Sequence, residues 1–190
     1  MVKNALRFST DRYSNLAIGD SALANNGVGS VSFEGTLNTA IGHGSMRSNT
    51  IGYWNTAVGY QSMADNVSGT SNVAVGQSAL SKNTTGQENT VLGYQALSSN
   101  TTGGRNVAIG YKSRASATLG ADNVTIGHRA MADGVGGSYN VAVGSTTLRY
   151  SQNGNCNTAV GHESSLGVST GSNYFHNTSV GFQTLYSKHR

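Results

Sequence analysis

NTAVGYQSM (Asn55–Met63), continued by ADNVSGTS and then by NVAVG at Asn72–Gly76, decides the fold, because the opening pentapeptide returns after seventeen residues. Extended both ways, Asn-x-Ala-(Ile/Val)-Gly and its near variants start at Asn15, Asn38, Asn55, Asn72, Asn89, Asn106, Asn123, Asn140, Asn157 and Asn177. The intervals are 23, then seven of 17, then 20. A second glycine follows each of the first nine Asn by fourteen residues, from Gly29 to Gly171. Both long intervals arise at one place, between that glycine and the next Asn. Extra residues confined to one corner mark a solenoid, whose insertions collect on one face. The chain therefore divides into an arm at 1–14, serving as anchor or cap, and a repeat domain at 15–190 with insertions at 30–37 and 172–176.

Within the pentapeptide the second and fourth residues are Thr, Val, Leu or Ile. Residues two apart share a face of an extended segment. The fixed glycines suit turns with φ > 0 or close backbone approach, and two per unit would weaken any helix. The reading is all-β: a parallel β-roll of ten 17-residue coils, with two short strands per coil. The fourth-position column (Ile18, Ile41, Val58, Val75, Leu92, Ile109, Ile126, Val143, Val160, Val180) is expected to form the core, with the second-position column also pointing inward. A second aliphatic line stands eight residues after Asn (Leu23, Met46, Met63, Leu80, Leu97, Met131, Leu148, Leu185), broken by Arg114 and Ser165. Eleven after Asn, five coils carry Asn26, Asn49, Asn66, Asn83 and Asn100, which suggests a stacked amide ladder. Ala117, Gly134, Ser151 and Val168 follow. Three aliphatic side chains per coil leave a single thin roll marginal against the entropy of ordering it. Association of chains to bury the second aliphatic line is expected.

Composition agrees with a thin, elongated body: 36% hydrophobic and 11% charged residues, 26 Gly and no Pro. A net charge of +4, without basic runs or interleaved aromatics, argues against a nucleic-acid partner. Cys156 is alone, so no disulfide framework is expected. Met1–Thr10 lacks the apolar core of a secretory signal, and no stretch reaches the roughly 20 apolar residues of a membrane helix. A chain made in the cytoplasm and not inserted in a membrane is the expectation.

NTAVGYQSM (Asn55–Met63), NTVLGYQALSSNTTG (Asn89–Gly103) and NVAIGYKS (Asn106–Ser113) resemble the β-roll heads of trimeric autotransporter adhesins. They resemble more closely the NTA(I/V)GYQAL-type repeats of phage-like tail-fibre proteins. The resemblance covers residues 15–186 and rests on sequence and period together. It implies a left-handed parallel β-roll with three chains side by side, a homotrimer, acting as a stalk or head of an attachment fibre. The chain as read carries neither the signal peptide and membrane anchor of the adhesins nor the self-cleaving chaperone domain of many tail fibres. A virion or extracellular surface fibre is the expected setting, with partners in the chain itself, a fibre or virion base protein, and a host glycan or protein. Spacer or decoration duty without receptor binding is the alternative.

Five residues after Asn the side chain is larger and variable, and Tyr60, Tyr94, Tyr111 and His128 in this column are candidate receptor contacts. Phe33, Tyr174 and Phe175, in the two insertions, are further candidates. His43, His128 and His162 stand coils apart in one column and without an H-x-H pair, so no metal site is expected. No carboxylate pair, Ser-His-Asp set or phosphate loop recurs, and seventeen is not a multiple of the six that hexapeptide-repeat acyltransferases use. Neither an enzyme nor a cofactor is expected. An ice-binding face needs a regular Thr array, whereas the second-position column mixes Thr with Val and Leu. N-x-(S/T) triplets at Asn66, Asn83, Asn100, Asn123 and Asn177 are by-products of the repeat, so glycosylation is not expected.

Overall fold

The computed structural model describes residues 6–8, 14–27, 34–167 and 175–185. Eleven three-residue strands follow in chain order: β1 (Leu6–Phe8), β2 (Leu16–Ile18), β3 (Thr39–Ile41), β4 (Thr56–Val58), β5 (Val73–Val75), β6 (Thr90–Leu92), β7 (Val107–Ile109), β8 (Val124–Ile126), β9 (Val141–Val143), β10 (Thr158–Val160) and β11 (Thr178–Val180). They form one sheet in the order β1 to β11. From β2 onward every pairing is parallel and like lies on like, as in Thr56↔Val73, Ala57↔Ala74 and Val58↔Val75. The protein is an all-β parallel solenoid, with no helix among the described residues. β1 adds antiparallel to the outer edge of β2, with Arg7 opposite Ala17, so the arm covers the sheet edge that the first coil would leave open.

Among the described residues each coil has one strand instead of the expected two. The opposite wall is a run of turns, held by bonds along the stack: the N–H of Met63 donates to Ala79 O (3.0 Å) and that of Leu80 to Ala96 O (3.0 Å). The cause is a recurrent left-handed backbone. Around the coil from Asn72, Ser71 just before it and Ser78 and Leu80 within it stand at φ 58°, 54° and 51°, which a continuous strand cannot accommodate.

The strands also face opposite to expectation. Their middle residues point in, with Ala40, Ala57, Ala74, Val91 and Ala108 at 0% exposure. The fourth-position column points out. Ile18, Ile41, Val58, Val75, Ile109, Val143 and Val160 are half-buried, while Leu92, Ile126 and Val180 are exposed. They are not the core. The second-position column points out as well, with Val73 and Thr90 exposed. The core is the line eight after Asn, where Met46, Met63, Leu80, Leu97 and Met131 are completely buried. The space between the strand and the turn wall takes one small and one long unbranched side chain, so a strand that gives alanine inward meets Leu or Met. The line assigned to association between chains is thus buried within one, and the line assigned to the core faces outward.

Asparagine fills the inner corners. The Oδ1 of Asn72 accepts the backbone N–H and the Nδ2 of Asn89 (both 3.0 Å), while its own Nδ2 donates to Asn55 Oδ1 (3.1 Å) and Gly86 O (2.9 Å). A second ladder runs through Asn26, Asn49, Asn66, Asn83 and Asn100, with amide steps of 2.6–2.9 Å. The triplet asparagines Asn66, Asn83, Asn100 and Asn123 are all buried in these ladders, leaving their amides no room for a glycan. The second glycines serve close approach: a Cβ on Gly69 would stand 2.4 Å from both Asn66 Oδ1 and Gly86 O.

Candidate functional site

The column five after Asn stands on the surface just past the strands. Tyr60, Tyr94 and Tyr111 are 48%, 39% and 45% exposed, and His128 is exposed beside them. Register makes the column a stack: Tyr94 lies on Tyr111 (centroids 5.3 Å, planes 8° apart) and Tyr111 on His128 (5.2 Å, 8°). His43–Tyr60 and His162–Phe182 repeat the arrangement. Lys112 Nζ lies 5.4 Å from the Tyr111 centroid. Both faces of Tyr111 are therefore covered by neighbouring rings, and the column offers a partner mainly ring edges and the Tyr hydroxyls. Phe175 is 51% exposed and pairs with Asn155 through a parallel bridge; Phe33 and Tyr174 lie outside the described residues.

Two surfaces carry no signal in sequence periodicity alone. The first is the outward face of the sheet, two columns of Thr, Val, Ile and Leu without one charged residue from β2 to β11. The second lies at the corner before the strands. There Trp54 (54% exposed) and Tyr139 (62%) share the column preceding each Asn, with Tyr53 edge-on to Trp54 at 5.0 Å. Beside that column lies a groove of about 400 Å³, floored by Gly103, Gly104 and Gly120 and walled by Thr85, Gln87, Thr102 and Ser138; it reaches the residue before Tyr139 and stops two coils short of Trp54. On its rim the Arg105 guanidinium forks onto Asp122, Nε and Nη2 donating at 2.7 and 2.9 Å. The hydrogen bond and the opposite charge hold the Asp122 carboxyl below the usual carboxylate range. Trp54 was visible as the sole tryptophan, but its position outside the conserved-looking pentapeptide gave no reason to single it out.

Among the described residues no group of three His, Cys, Asp or Glu side chains is placed to hold a metal ion. No helix there is long and apolar enough to cross a membrane. Comparison with protein-family models, with curated proteins and with solved structures finds no match for this chain.

Proposed function

We propose that the chain is a structural and attachment protein, the trimeric head or stalk module of a virion tail fibre or extracellular surface adhesin, without enzymatic activity. The observation that carries this reading is the outward sheet face. Twenty uncharged, mostly β-branched side chains stand along it, among them Val73 at 41% and Leu92 at 48% exposure. Contiguous exposed apolar strips mark interaction sites, and a strip running the length of a rod suits a parallel copy of the same rod. A three-fold arrangement of left-handed rolls follows the resemblance to tail-fibre repeats. The remaining surfaces are then available to a base protein and to a host glycan or protein.

Sedimentation velocity of the purified protein tests the assembly, with a trimer expected; a stable monomer or dimer would overturn it. Val75→Lys with Leu92→Lys and Ile109→Lys should dissociate the trimer while the far-ultraviolet circular dichroism of the roll persists. Retention of the trimer by that variant would remove the sheet face as the interface.

A further inference from the structure

We propose that the glycine-floored groove before the strands is a binding site for a neutral linear oligosaccharide lying along the roll axis. This rests on the attachment reading and moves its contact surface off the tyrosine column. A pyranose binds an aromatic ring by laying its C–H face on the ring face, and Tyr111 has rings stacked on both of its faces. Trp54 and Tyr139 are both more than half exposed. They are five coils apart in one column, about 24 Å at the spacing of neighbouring strands, and make platforms at the two ends of an extended ligand.

The groove that runs beside this column suits polar rings. Hydroxyls and an amide from Thr85, Gln87, Thr102 and Ser138 stand over a bare backbone floor. Gly103 in that floor stays glycine because a Cβ there would meet Asn100 Oδ1 and Gly120 O, each at 2.4 Å. So open and polar a surface gives an apolar peptide no pocket to fill, while sugar hydroxyls find donors and acceptors along its length. Arg105 and Asp122 neutralise each other at the rim. The remaining rim charge, Glu88, disfavours an acidic chain, hence a neutral ligand.

Titration calorimetry with cellohexaose, maltohexaose and chitohexaose, and with hexagalacturonic acid, tests the site. At least one neutral hexaose should bind, more tightly than its trisaccharide. Trp54→Ala and Thr102→Trp, the second of which fills the groove, should each weaken that binding tenfold or more. The Tyr60→Ala, Tyr94→Ala, Tyr111→Ala triple variant should bind normally. Circular dichroism and sedimentation establish that each variant keeps its fold and assembly. Preference for the acidic hexamer overturns the site, as does binding lost only in the tyrosine variant; in the latter case glycan attachment survives at the other column. If no hexaose binds wild type the site is wrong, and adherence of the intact protein to host cells then decides separately whether the attachment reading stands.

Discussion

Ser71, just before the coil from Asn72, and Ser78 and Leu80 within it hold left-handed backbone, and the same three places recur around the stack with side chains as different as Trp54, Arg105 and Tyr139. An L-residue pays about 1–2 kcal/mol for this conformation. It persists because the neighbouring coils use the peptide groups it orients: Ser78 N–H donates backward to Tyr60 O (2.9 Å) and Leu80 N–H forward to Ala96 O (3.0 Å). Sequence could not reveal these places, since glycine occupies only one of them, at Gly44. It did reveal the glycines with no substitute, such as Gly59, at φ 133° with space for a Cβ closed by Gly76 O at 2.5 Å. Ser78 separates the two effects. Ser78→Gly relieves the left-handed strain but adds about 0.5–1 kcal/mol of backbone entropy, so stability should hold or rise by up to about 1.5 kcal/mol. Ser78→Val, branched at Cβ, should lose more than about 1 kcal/mol at the same place. Urea midpoints at constant m-value measure both, and a Val variant as stable as the Gly variant would mean that Ser78 is not left-handed.

Each of the first five coils has two ladder asparagines, one inward strand residue and one long aliphatic side chain, and the sixth coil breaks that recipe. Arg114 replaces the aliphatic residue and Ala117 the ladder asparagine. The guanidinium is completely buried, and its Nη2 donates to Leu119 O (2.9 Å) and Gly137 O (3.1 Å), standing in for amides the ladder lacks. The substitute is incomplete. Asn100 Oδ1, where the ladder stops, and Arg114 Nε and Nη1 are buried without partners, and an orphaned buried polar group costs about 1–3 kcal/mol. Burial pushes the Arg114 pKa down to about 10. A base whose pKa is lower folded than unfolded binds fewer protons when folded, so it destabilises the fold below that pH and the penalty fades as pH rises above it. Arg114→Leu with Ala117→Asn rebuilds the common coil and should stabilise by about 1–3 kcal/mol at pH 7, the gain shrinking above pH 10. Thermal melts of both proteins at pH 7 and pH 10.5 measure it; an unchanged or lower midpoint at pH 7 contradicts the account. At this scale the ladder and the odd Arg were legible, because identity and period are written in the letters. The facing of Val58 and Val75 was not: alternation tells that they share a side and opposite Ala57 and Ala74, but only the width of the interior decides which side is in.

The whole molecule is a one-dimensional stack. Its period and corner insertions could be read directly, whereas the outward apolar face and the groove depend on how coils superpose and had to await the fold. Because each coil bonds only to the coils before and after it, stability should be close to a sum of coil and neighbour terms. The seam that matters is register. Asn72 donates its ladder bond to Asn55 and accepts the next one from Asn89, and the residues that pair across each of these steps are seventeen apart. Removing Asn72–Glu88 brings Asn89 over Asn55, Val91 over Ala57 and Leu97 over Met63, every class on its own kind. Removing Asn72–Asn83 instead, twelve residues, sets Thr84 over Asn55 and throws glycine, asparagine and core positions out of line for the rest of the rod. The seventeen-residue deletion should therefore fold, keep the parent spectrum and assembly state, and lose no more than a few kcal/mol. The twelve-residue deletion should lose cooperative unfolding across the seam, although it removes less chain. Equal damage from the two deletions, read by circular dichroism and thermal melting, would mean that the coils are not interchangeable units and that the stack is held by something other than repeat register.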